Sequence, residues 1–105
     1  MKELETIEQY HELKDNKDTI FLFSADWCGD CRYLDPDLPK IENAYPEYTF
    51  IKVDRDKFID LCIENDILGI PSFLAFKNAK EVGRFVSKDR KTKEEVIQFI
   101  KDLPA

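Results

Sequence analysis

Two cysteines, Cys28 and Cys31, lie three positions apart, directly after the apolar, β-prone segment 19–23. Unpaired N–H groups and the helix dipole stabilise a thiolate at a helix N-terminus, and the thiolate is the form that attacks disulfides. Cys31 follows one helical turn later, where it can displace a mixed disulfide formed on Cys28. The pattern therefore predicts reversible thiol–disulfide exchange, with Cys28 as nucleophile and Cys31 as resolving cysteine.

A zinc site is the competing interpretation of this pair. Structural zinc takes four ligands, and the chain offers only Cys62 and His11 besides the pair, neither of them in a second paired motif. We therefore expect no metal. Cys62 falls on the apolar side of a predicted helix, which favours an inert core thiol over a regulatory one, and His11 is expected at the surface.

Length and charge limit the remaining possibilities. A chain of 105 residues is sufficient for one domain with its own core, so residues 1–105 are expected to form a single unit. A net charge of −6 disfavours nucleic acids and anionic membranes as partners. The polar N-terminal segment has no apolar stretch of the signal-peptide type, so we expect a cytoplasmic protein. We also expect a monomer.

Helical and extended patterns alternate along the chain, which predicts an α/β domain with a central mixed sheet flanked by helices. Pro36 falls inside the longest predicted helix and should kink it. The expected elements are a short N-terminal strand, a helix at 7–15, a buried strand at 19–24, a helix at 29–45, a strand at 48–54, a helix at 56–66, a hairpin of strands 72–76 and 81–86, and a final helix that begins with the capping box at Thr92.

Taken together, these features resemble the thioredoxin family over essentially the whole chain. The matching features are Trp-Cys-Gly-x-Cys after a buried strand, a proline five residues past the second cysteine, and Ile-Pro-Ser before a Phe-Leu-Ala-Phe strand. The resemblance implies the thioredoxin fold and a cis bond between Ile70 and Pro71, with Ile70 offering backbone groups to an extended substrate peptide. It also implies that Trp27 borders and shields the active site, rather than serving as a core residue.

Residues around the thiols are expected to tune their reactivity. Asp26 and Asp30 could be merely solvated loop acids, but carboxylates this close to a thiolate should influence it electrostatically. Gly29 belongs to the same tuning set. Asp30 stands where the family usually has proline, and Ser24 where it usually has tryptophan.

Two further departures concern the resolving cysteine. Many thioredoxins carry a buried aspartate on the strand before the active site and a lysine near it on the next strand. Counting along this sequence places these positions at Leu22 and at about Phe50, both apolar. We therefore expect Cys31 to lose its proton to water or to a surface acid.

The resemblance implies a thiol–disulfide oxidoreductase that reduces disulfides of proteins or of small thiols. The sequence has no Gly-x-Gly-x-x-Gly motif for a nucleotide or flavin, so no cofactor is expected, and electrons should come from an external reductase or a low-molecular-weight thiol. The alternative is a redox-sensing module that binds a partner according to the oxidation state of Cys28 and Cys31.

Overall fold

The structure is a computed structural model and describes residues 1–104. Its elements follow the predicted order: β1 (Lys2–Glu3), α1 (Ile7–Asn16), β2 (Thr19–Ser24), α2 (Gly29–Leu34), α3 (Leu38–Ala44), β3 (Thr49–Asp54), α4 (Ile59–Glu64), β4 (Ser72–Lys77), β5 (Lys80–Phe85) and α5 (Lys93–Lys101). None of the helices in residues 1–104 has the length and apolar character needed to cross a membrane.

The five strands form one mixed sheet in the order β1-β3-β2-β4-β5. Strands β1, β3 and β2 are parallel, whereas β4 runs antiparallel to both β2 and β5. The central strand β2 is buried along its whole length, which explains its continuous apolar sequence. The predicted mixed sheet and the hairpin of β4 and β5 are confirmed.

Alternating residues of β2 supply two cores, one on each face of the sheet. Phe21 and Phe23 pack with residues of α1 and α4, whereas Ile20 and Leu22 pack with residues of α2, α3 and α5. The sheet is thus covered by helices on both faces. This arrangement fixes the carboxyl end of β2, from which the chain passes directly into the cysteine motif.

The prediction of one continuous helix at 29–45 is wrong. A 3-10 turn at Asp35–Asp37 separates α2 from α3, and Pro36 and Pro39 each lie in the first positions of a new helical segment. Proline has no N–H to donate to the preceding turn but is readily accommodated where a helix begins. Two closely spaced prolines therefore divide the helix instead of only bending it.

The helix predicted at 56–66 is also shorter, because the chain turns before α4 begins. The Asp54 carboxylate accepts hydrogen bonds from the backbone N–H groups of Asp56, at 2.9 Å, and Lys57, at 3.3 Å. This local capping favours a turn over a helix. The predicted apolar position of Cys62 is confirmed, because Cys62 is buried together with Phe58 and Leu61.

Candidate dithiol site

Cys28 caps the N-terminus of α2. Its sulfur accepts a hydrogen bond from the Cys31 backbone N–H at 3.2 Å, and its thiol faces the Ile70 carbonyl oxygen at 3.9 Å. A sulfur in this position is stabilised as a thiolate by the N–H group that it caps. Cys28 is 7% exposed, so its sulfur lies at the edge of the core.

Cys31 lies deeper, with 2% of its surface exposed. Burial, followed by a hydrogen bond with Cys28, raises the pKa of the Cys31 thiol to about 11, while a hydrogen bond from the Ser24 side chain opposes the rise. The two thiols therefore differ in environment. Cys28 has a donor that stabilises its anion, whereas Cys31 is held protonated at neutral pH.

The loop before β4 packs against this pair. The Ile70–Pro71 peptide bond is cis, as the resemblance implied, and Ile70 contacts the small cluster of Ala25, Cys28 and Cys31. Gly69 approaches another loop so closely that a β-carbon on it would lie 2.5 Å from the Ser87 carbonyl oxygen. This packing role of Gly69 depends on a contact between distant loops that no local signal in the sequence reveals.

The loop at residues 87–91 supplies charges that sequence reasoning missed. Arg90 Nε donates to Asp30 Oδ1 at 3.0 Å, and the Arg90 guanidinium lies 4.3 Å from the centre of the Tyr33 ring. Asp30 is therefore not a merely solvated acid, because its carboxylate is paired with Arg90 beside the N-terminus of α2. The partners are 60 positions apart in the chain, so spacing alone could not connect them.

Lys91 is the second missed charge of this loop. It is only 1% exposed, and its Nζ donates to the Ser87 carbonyl at 3.3 Å, the Ser87 hydroxyl at 3.1 Å and the Asp89 carbonyl at 3.1 Å. Burial lowers the pKa of Lys91, and the nearby thiol of Cys31 and several carboxylates oppose that shift. These three hydrogen bonds stabilise the conformation of the loop at residues 87–91.

Trp27 is 60% exposed, so it is not a core residue. Its indole Nε1 donates to Asp56 Oδ2 at 2.7 Å, and the Arg55 guanidinium lies 5.8 Å from the ring centre. These contacts hold an apolar surface beside Cys28. Asp56 is a further residue that sequence reasoning did not single out.

Asp26 and Gly29 lie on the outside of the site. The Asp26 backbone carbonyl accepts from Arg32 Nη1 at 2.7 Å, and its side chain is exposed. A β-carbon added to Gly29 would meet nothing within 4 Å. The position therefore has open space for a small side chain.

The position of the lysine near Leu22 needs correction. The register of β2 and β3 pairs Leu22 with Lys52, whereas Phe50 pairs with Ile20 one step earlier on the same face. The neighbour of Leu22 on the next strand is therefore a lysine. Lys52 Nζ lies 3.0 Å from Asp35 Oδ1.

The other candidate metal ligands do not join the pair. Among residues 1–104 no group of three or more His, Cys, Asp or Glu side chains is arranged to hold a metal ion. Cys62 is buried in the core on one face of the sheet, where burial raises its thiol pKa, and His11 is exposed on α1.

Replacing Asp30 by asparagine is expected to increase the alkylation rate of Cys28 below neutral pH, by up to about fivefold. The change removes a negative charge near the thiolate and leaves the Arg90 guanidinium without its carboxylate partner. Arg90→Gln should act in the opposite direction, because it leaves Asp30 unpaired. Iodoacetamide labelling of both variants measures this, and equal rates in the two would show that the ion pair has no influence on Cys28.

Comparison with known proteins gives a consistent result. The thioredoxin family model matches residues 2–102. Thioredoxin H4-2 of Oryza sativa subsp. japonica is 34% identical over 89 residues, an alignment that covers 85% of this chain and 67% of the rice protein. Mitochondrial thioredoxin-2 of Schizosaccharomyces pombe is 39% identical over 77 residues, covering 73% of this chain and 58% of that protein.

Solved structures agree with the sequence matches. The crystal structure of oxidised mitochondrial thioredoxin 3 from Saccharomyces cerevisiae superposes with a TM-score of 0.86 at 28% identity, covering 98% of this chain and 95% of that one. The shared fold, the Cys28–Cys31 pair at the N-terminus of α2 and the family match over nearly the whole chain lead to one conclusion. The chain belongs to the thioredoxin family of thiol–disulfide oxidoreductases.

Proposed function

We propose that this chain reduces disulfides, with Cys28 as the nucleophile and Cys31 as the resolving thiol. The observation that carries the assignment is the asymmetry of the pair. Cys28 caps α2 and receives the Cys31 N–H, while Cys31 is almost fully enclosed with a pKa of about 11. The thiol whose anion is stabilised attacks first.

The reaction has two exchange steps. The Cys28 thiolate attacks one substrate sulfur, the substrate disulfide breaks, and the departing sulfur takes up a proton. Cys31 then loses its proton and attacks the Cys28 sulfur, so that the Cys28–Cys31 disulfide forms and the second substrate thiol leaves. The substrate gains two electrons, and the protein loses them.

Protein disulfides are the proposed principal substrates. Ile70 lies beside Cys28 in the turn before β4, and Trp27 adds an exposed apolar surface on the same side. An extended peptide could pair with the backbone of Ile70 and place its cysteine over the Cys28 sulfur. Small disulfides need no such groove and are the second proposed substrate class.

An external donor must return the two electrons. A reductase or a low-molecular-weight thiol would serve, because the sequence has no nucleotide or flavin motif of its own. We also propose a reducing compartment, because such donors must be present where the chain acts. The cytoplasm is our expectation, although two of the relatives are mitochondrial by name. We propose that the chain acts as a monomer.

The alternative function is a redox-sensing module. Arg90 and Asp30 join the loop at 87–91 to α2, and Gly69 joins the same loop to the Ile70–Pro71 turn. Formation of a disulfide between Cys28 and Cys31 could alter this contact surface and release a bound protein without any turnover.

Turnover separates the two functions. With dithiothreitol as regenerating donor, the protein is expected to accelerate reduction of insulin well above the rate of the donor alone, because each molecule cycles repeatedly. Precipitation of the freed insulin chains measures the rate. A stoichiometric reaction that stops after one equivalent, together with a partner captured only in one redox state, would support the sensor instead.

A further inference from the structure

Among residues 1–104, Lys91 is the only charged residue that is buried, with 1% of its surface exposed. All three of the hydrogen bonds that its ammonium group donates there go to uncharged acceptors, namely the Ser87 carbonyl, the Ser87 hydroxyl and the Asp89 carbonyl. A buried charge is costly unless hydrogen bonds replace the water that it loses. Three acceptors match the three N–H bonds of an ammonium group, so the loop itself takes the place of the hydration shell of Lys91.

The loop at residues 87–91 is organised around this ammonium group. Ser87 lies four positions before Lys91 and Asp89 two positions before it, so the hydrogen bonds fix the backbone at two points of a short segment. The Ser87 hydroxyl also accepts the Asp89 backbone N–H at 3.3 Å. Without the cation, both carbonyls would lose their donor and would have to turn towards water. Lys91 therefore determines the direction of the Ser87 carbonyl.

The Ser87 carbonyl is also the group that meets the turn before β4. A β-carbon added to Gly69 would lie 2.5 Å from the oxygen of this carbonyl and 2.6 Å from its carbon, so the two backbones are in direct contact. Ile70 follows Gly69, and its own carbonyl oxygen lies 3.9 Å from the Cys28 sulfur. The backbone that would pair with a substrate peptide is thus one residue away from the carbonyl that Lys91 holds.

The same loop contacts α2 through the residue before Lys91. Arg90 Nε donates to Asp30 Oδ1 at 3.0 Å, on the helix that Cys28 caps. The loop therefore contacts both elements that border the Cys28 sulfur, α2 on one side and the turn before β4 on the other. Because both contacts are short, a change in the conformation of the loop must alter at least one of them.

From this arrangement we propose that Lys91 is a positioning residue for protein substrates: its ammonium group holds the loop at residues 87–91 so that the Ile70–Pro71 turn is ready to pair with an extended peptide. The inference rests on the proposed reduction of protein disulfides. Lys91 acts through the contact between Ser87 and Gly69, not through the thiols. Its loss should therefore weaken the binding of a peptide and leave thiol–disulfide exchange itself unchanged.

A small disulfide provides the internal comparison. The reagent 5,5′-dithiobis(2-nitrobenzoate) has no peptide backbone to pair with Ile70, so its rate constant with the reduced protein reports only the reactivity of Cys28. Insulin, with dithiothreitol as regenerating donor, must also bind as a peptide. The ratio of kcat/KM for insulin to the rate constant for the small disulfide cancels any change in the thiolate fraction of Cys28, including a change transmitted through Arg90 and Asp30.

Lys91→Met removes the ammonium group but keeps an unbranched side chain of similar length. The KM for insulin should rise about tenfold, with kcat within about twofold of the wild type, because a bound peptide must now order the loop. The rate constant for the small disulfide should change by less than about twofold. The urea midpoint should stay within about 0.5 M of the wild type, since exchanging a buried charge for an apolar group of similar volume is often neutral for stability.

Two further variants complete the test. Ser87→Ala removes only the hydroxyl acceptor, so the KM for insulin should rise by a smaller factor, about threefold. In the double variant the KM should stay close to that of Lys91→Met, because both residues act in one hydrogen-bond network. Lys93→Met is the matched control: it removes the same charge two positions later, from a side chain that is 33% exposed, and should leave KM, kcat and the small-disulfide rate unchanged.

Equal KM values for Lys91→Met and Lys93→Met would overturn the inference, and so would a loss of rate with the small disulfide as large as the loss with insulin. An unchanged KM in Ser87→Ala would do the same, and this variant keeps the test decisive if Lys91→Met does not fold. Failure of the proposed function is distinguishable, because the wild type itself would then not turn over insulin.

Discussion

The Cys28→Ser variant is expected to lose disulfide reduction by about a thousandfold or more, because a serine hydroxyl is not ionised near neutral pH and cannot replace the thiolate. Cys31→Ser should lose steady-state turnover as well, but for a different reason. Cys28 remains in place at the N-terminus of α2, so the first exchange still occurs, and the mixed disulfide then accumulates.

Insulin reduction and non-reducing electrophoresis measure these outcomes. The Cys31 variant should yield covalent adducts that dithiothreitol removes, and the Cys28 variant should yield none. Cys62→Ala is the matched control, since this thiol is buried in the core away from the pair, and it should retain activity. Adducts formed through Cys31 in the Cys28 variant, together with surviving turnover, would show that the two roles are reversed.

Much of the fold was predictable because the deciding signals are local or periodic. The continuous apolar run of β2 indicated a strand covered on both faces, and the capping box at Thr92 indicated where α5 begins. The cysteine spacing identified the pair itself. Each of these signals depends on residues within one or two turns of the chain.

The errors and omissions have a different origin. The division of the helix at Pro36 depends on a second proline, which makes a new start more favourable than a bend. The lysine beside Leu22 was placed two residues too early, at Phe50, because counting along one strand does not establish the register against the next. Both features need neighbours that a linear scan does not connect.

The charged surroundings of the thiols were the least predictable part. Arg90 reaches Asp30 across 60 positions, and Asp35 meets Lys52 across 17. Only the folded sheet and the loop at residues 87–91 bring these groups together. The chemistry of the pair was therefore predictable from the sequence, whereas the groups that adjust it were not.

Replacing Gly69 by alanine is expected to destabilise the protein by about 2 kcal/mol. The added β-carbon would lie 2.5 Å from the Ser87 carbonyl oxygen, 2.6 Å from its carbonyl carbon and 2.7 Å from the Lys88 nitrogen. All three are backbone atoms, so no side chain can rotate away, and one of the two loops must move. Because Gly69 precedes Ile70 and Pro71, this movement should also lower turnover.

Gly29→Ala is the matched control, since its new β-carbon would meet nothing within 4 Å. Its free energy of unfolding should change by no more than about 0.5 kcal/mol. Urea titration followed by circular dichroism compares the variants, and thermal unfolding should place the Gly69 variant roughly 10 °C lower. Equal midpoints for the two alanine variants would mean that the two loops separate at little cost in free energy. In that case the tight contact between Gly69 and Ser87 does not hold the loop at residues 87–91 against the dithiol.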